Sequence, residues 1–373
     1  MHTAARGATL VLGALVAQAP LTAAAYEPRD LGDAASPGIA VPSPGVVPST
    51  TPPAARSWGD VVKQVTETSP DDLRLRTADA SARASSMMRC FKLDEENYCL
   101  GLGFVDQVPT AAQLQATLSP PERRTDGEVG VEQDIPTGDL TPAAFVAQRA
   151  AMPKSARVTA ELDEMQAAWD GREKARELRL LAVRPPAAPV KMPTSAYIMK
   201  GFQTSQEKGY WCGPATFQSI DWADDQQKDT QASWAKDLGA TTSGTAISAM
   251  VQQTNLKTNW DIPAGAYIVQ NVSHWNAQTF FTVHQKHLGV YKAPVIEHVQ
   301  LLKRYFPYLA FNHSGHYQVG RGYNTANGTI AIYEVFNERR FNSRGNVTDG
   351  PKNIPASALF NATLANSFQN IGL

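Results

Sequence analysis

After its first thirty positions the chain has no apolar run of 18 or more residues, which excludes a membrane-spanning helix from the remainder. It also lacks an excess of charge of either sign. Lys plus Arg number 34 against 35 Asp plus Glu, so no average field draws it to nucleic acid. There is no glycine-rich phosphate loop, no paired DxD carboxylates and no basic-aromatic array, which argues against nucleotide chemistry. Cysteine is scarce, at three residues. What is present is enough for an ordinary buried core: 43% hydrophobic residues over 373 positions, a length that predicts about two domains.

Near the start, Arg6 precedes the apolar stretch Ala8 to Ala17 and then the small residues Ala23, Ala24 and Ala25. This order reads as a secretory signal over residues 1–25, and the Ala/Arg/Pro bias suggests a bacterial exported protein. Export makes three cysteines an odd count. Cys90 and Cys99 bracket a short segment and are expected to pair, which leaves Cys212 as a free thiol.

Composition divides the rest. Residues 26–56 are rich in Pro, Ser and Thr and read as a semi-extended tether. Residues 57–183 read as a mainly helical region carrying the disulfide, broken by a polar, turn-rich loop from Ser119 to Asp139. Thr141 and Pro142 supply an N-cap and a first-turn proline. Val158, Leu162, Met165 and Trp169 recur at helical spacing, with charged residues assigned to the opposite face. The proline-rich stretch 184–194 is the expected boundary, and 195–373 the expected second domain. There a helix begins at Cys212, helical spacing recurs at Ile247, Met250 and Val251 and again at Val299 and Leu302, and two strands flank the turn NTANG. Helix first and antiparallel sheet last predict an α+β fold.

Cys212-Gly213-Pro214 puts a thiol on the first turn of a helix, where unpaired backbone N–H groups favour a thiolate and lower the thiol pKa. Gln206, six residues earlier, is positioned to donate to an oxyanion, with the Cys212 N–H as the second donor. Gln203 is its rival. QEKGYWCGPA, followed a hundred residues later by GHYQVGRGY and TIAIYE, resembles the C39-like cysteine peptidases of the papain-like group over roughly residues 195–340. The resemblance implies Cys212 as nucleophile, Gln206 in the oxyanion hole and His316 as base, with Glu334 or Asn337 orienting the ring. His313 is the rival base. His284, His287 and His298 form no recognisable zinc pattern, and no cofactor is expected.

The expected function is a secreted cysteine peptidase or amide hydrolase acting on a peptide or protein substrate. Two alternatives stand beside it: a catalytically weak C39-like cell-surface binding module, and a cell-wall peptide amidase. Residues 57–183 are expected either to mask the thiol or to position it on a partner, with a permanently packed companion domain as the alternative.

Overall fold

Thr141 caps the helix Pro142–Ala151 by accepting from the Ala144 N–H, with the proline in the first turn. Such local signals fix several helix starts here: Ser57 and Thr110 form capping boxes, and Asn276 caps Ala277–Gln285. A computed structural model describes residues 56–119, 137–183, 192–199 and 204–373. The expected signal peptide, nearly all of the tether, most of the proline-rich boundary, and Gln203 lie outside these residues.

The protein is mixed α+β. Among the described residues ten strands form: β1 (Cys90–Leu93), β2 (Glu96–Cys99), β3 (Gly103–Val105), β4 (Ser195–Tyr197), β5 (Val269–Asn271), β6 (Val295–Gln300), β7 (Gly315–Asn324), β8 (Thr329–Glu334), β9 (Gly350–Pro355) and β10 (Asn370–Gly372). They lie in one sheet in the order β1-β2-β3-β5-β10-β6-β7-β8-β9, with β4 on the end of β7. Among these described strands β3–β5 is the parallel pairing and the others are antiparallel. Cys90 faces Cys99 across β1–β2 and is disulfide-bonded to it, as the short intervening segment suggested.

Both faces of the central sheet are covered. The helices Cys212–Asp225 and Ile247–Lys257 pack on one side, where Ala215, Met250, Ile296, Tyr317 and Val319 meet. Ala277–Gln285 and Ala356–Ala365 cover the other, with Phe280, Leu359, Val295 and Val299. A strand buried on both faces loses the polar alternation that betrays it in sequence. That is why Val299 and Leu302 mimic helical spacing although Val295–Gln300 is a strand.

The expected boundary at 184–194 joins segments that share one sheet and one core. Phe104 of β3 pairs with Gln270 of β5, and Val61, Leu75, Phe91 and Phe145 belong to the same buried cluster as Ile268, Ile332 and Ile371. Residues 54–373 form one compact unit. The helix Lys154–Asp170 also departs from its expected polarity: Arg157, Glu161 and Glu164 are buried beside Met165, whereas Val158, Leu162 and Trp169 are partly exposed.

Candidate active site

Pro214 starts a helix without sacrificing a needed donor, and Cys212 sits at the first position of that helix, completely buried. Gly213 lets the first turn close on Thr245, whose side chain a Cβ would strike. Thr216 Oγ1, one turn on, donates to the Tyr317 carbonyl at 3.0 Å and ties the helix to β7. The thiol is itself hydrogen-bonded to the backbone of Tyr317 and of Gly213.

His316 immediately precedes Tyr317 on β7, so the Cys212 helix and the strand that carries His316 meet at this point. The ring Nε2 lies 2.7 Å from Glu334 Oε1 on the neighbouring strand β8. Nδ1 is buried without a hydrogen-bond partner. Glu334 is fully engaged: Oε1 also accepts from the Phe336 N–H at 2.8 Å, and Oε2 accepts from Tyr308 at 2.8 Å and Gln318 at 2.7 Å. Burial alone would push its carboxyl up, but the His316 ring and these donors hold it below the ordinary carboxylate value. An imidazole with its Nε2 held by a carboxylate keeps Nδ1 as the atom that takes a proton.

Asn337, the other candidate for orienting the ring, donates instead to Asp349 at 2.9 Å. His313, the rival base, is held by Glu338 at 2.7 Å, a carboxylate that also accepts from the backbone of Ala310, Phe311 and Asn346 and so fastens a loop. His284 meets Glu297, His298 meets Asp139, and His287 meets the Ala293 carbonyl. Among the described residues no group of His, Cys, Asp or Glu is arranged to hold a metal ion.

The thiol does not follow the helix-terminus expectation. Burial pushes Cys212 well above the ordinary thiol range, and the Asp139 and Glu334 charges act in the same direction; the backbone of Tyr317 and Gly213 opposes them without prevailing. Asp139 comes from the segment read as a polar loop. No spacing or composition marks it out. Its carboxylate accepts from Asn366 at 3.1 Å, sits 3.0 Å from His298 Nε2, and occupies the space a Cβ on Gly315 would need.

Gln206 is completely buried and its backbone N–H donates to the Val335 carbonyl. Its amide nitrogen lies within hydrogen-bond distance of the carbonyls of Lys208 at 2.9 Å, Gly209 at 2.8 Å and Thr137 at 3.2 Å.

No family model matches the chain, and neither a curated protein nor a solved structure matches it. Among the described residues no helix is long and apolar enough to cross a membrane.

Proposed function

We propose that the protein is a secreted cysteine hydrolase with a papain-like arrangement in residues 195–373, cutting an amide or peptide bond through an acyl-enzyme on Cys212. The observation that supports this reading is the helix–strand junction: the Cys212 helix is tied through Thr216 to the Tyr317 carbonyl, one residue from His316, whose Nε2 lies at Glu334 and whose Nδ1 has no hydrogen-bond partner. In this mechanism Nδ1 takes the thiol proton, Sγ attacks the carbonyl carbon, and the Gln206 amide and Cys212 N–H stabilise the oxyanion. The imidazolium then protonates the leaving amine, and water releases the acyl group. An extracellular location agrees with the Cys90–Cys99 disulfide.

A binding module without turnover is the second reading, and the observation favouring it is the complete burial of Cys212 together with its raised pKa. Labelling with a thiol-reactive amide warhead separates the two: reaction at Cys212, with hydrolysis in a mixed peptide library or of isolated cell wall, supports the hydrolase. A thiol inert from mildly acidic to mildly basic pH supports the module. The same two substrate sets decide between a peptidase and a cell-wall amidase.

A further inference from the structure

The two groups assigned to the oxyanion hole already share an acceptor. The Cys212 N–H donates to the carbonyl of Thr137 at 3.2 Å, and the Gln206 amide nitrogen stands 3.2 Å from the same oxygen. Thr137 is laid into the cleft by further bonds: its N–H donates to Ser314 Oγ at 3.0 Å and its hydroxyl to the Gly315 carbonyl, one residue before His316. Gly138 follows at φ 117°, pressed so closely to Tyr210 that a Cβ would run into the Tyr210 carbonyl. Beyond it the chain is fastened. Thr245 N–H donates to the Gly138 carbonyl, Leu140 N–H donates to the Thr245 carbonyl, and Asp139 is buried on His298 and Asn366.

A peptide carbonyl between two oxyanion donors is in the position of a substrate carbonyl. We propose that Thr137–Gly138 is the protein's own first substrate bond, cut in cis by Cys212 to open the cleft. This rests on the hydrolase reading above. Cys212, His316 and Gln206 are all completely buried, and the Thr137 carbonyl occupies the donors of two of them. Withdrawing the whole segment would strip Asp139 of its partners and break the bridge to Thr245, whereas cutting one bond frees Thr137 and leaves Gly138 to Leu140 in place. In the step, Sγ bonds to the Thr137 carbonyl carbon, the bond from that carbon to the Gly138 nitrogen breaks, and the thiol proton carried by His316 goes to that nitrogen. Water then adds to the thioester, yielding a Thr137 carboxylate and restoring the thiol.

The test uses the purified full chain alongside Cys212→Ala and Cys212→Ser, incubated from mildly acidic to mildly basic pH and read by denaturing gel, intact mass and N-terminal sequencing. The expected result is one cut with a new N-terminus at Gly138 and a first-order rate independent of protein concentration. The cut should be lost in both Cys212 variants and slowed by about 10²–10³ in Gln206→Ala. On a native sizing column the two fragments should travel together, because β3 and β5 still pair. A chain that stays whole while the warhead labels Cys212 and added peptides are hydrolysed overturns this inference and leaves the hydrolase reading standing. The same cut in the Cys212 variants, a cut elsewhere, or a rate that rises with concentration also overturns it. A whole chain with an inert Cys212 takes the hydrolase reading down as well.

Discussion

Glu334 receives hydrogen bonds from Tyr308, Gln318 and the Phe336 backbone and holds the His316 ring, so its charge is shared among four partners. Replacing it by Gln keeps the volume but removes the negative charge and presents an amide nitrogen to other donors. Glu334→Gln should lose about 1–3 kcal/mol of stability and slow turnover, while Asn337→Ala, which touches Asp349 rather than the ring, should leave the pH profile unmoved. The folded-state pKa of Glu334 is depressed, so its contribution is complete above the unfolded carboxyl value and is lost as pH falls through the folded one. Melting curves of parent and Glu334→Gln should therefore converge in acid; a gap that persists there would refute the assignment. Cys212→Ala and His316→Ala should each abolish activity while retaining the fold, and more than a few per cent residual turnover in Cys212→Ala would rule out its role as nucleophile. Because burial, Asp139 and Glu334 raise the thiol pKa, warhead labelling of the intact chain should be slower than that of a free thiol at neutral pH and should accelerate as pH rises. The motifs that hold Gln206, Cys212 and His316 are readable in sequence because each is short and has a characteristic spacing. Thr137 and Asp139 are not: they reach Gln206 and His298 from a distant segment whose composition reads only as a turn.

The helix Lys154–Asp170 carries charge on its buried face because the partners come from elsewhere. Arg89 meets Glu161 at 2.7 Å, Arg149 meets Glu164 at 3.2 Å, and Arg157 is spent on Asp72, Ser69 and the backbone of Pro70 and Met152. Periodicity assigns such residues to solvent, and one sequence gives no sign of which cations will arrive. The strand β6 was misread for a related reason, since burial on both faces erases the alternation. Caps and turns were legible at Thr141, the Cys212 helix and the NTANG hairpin because they depend on neighbours in sequence. The buried pairs give a test of the element. Glu161→Leu alone strands the largely buried Arg89 and should cost about 3–5 kcal/mol in a denaturant titration. The double change Glu161→Leu with Arg89→Met should recover most of that loss, since two apolar side chains of similar size replace the pair. If the double variant is as unstable as the single one, the charges serve something other than each other.

For the whole molecule, the proline-rich stretch invites a division that the sheet does not respect. β3 supplies the parallel neighbour of β5, Asn370 on β10 donates to the carbonyls of Gly101 and Leu102, and Gln270 on β5 donates to the Phe104 carbonyl. Removing residues before 195 would leave one side of β5 unpaired, uncover Ile268 where it meets Gly171 and Phe368 where it meets Phe145, and strip His298 of Asp139. An exposed edge beside a large apolar surface favours aggregation. Residues 195–373 expressed alone should accordingly be insoluble, or soluble without a cooperative melt. A protease nick between Arg184 and Lys191 in the intact chain should behave differently, because both parts are then already folded against each other: the nicked protein should elute as one species and melt close to the parent. A soluble, monomeric 195–373 fragment with a cooperative transition would show that the earlier region is a removable cover, and that the shared core contributes little to holding the catalytic half together.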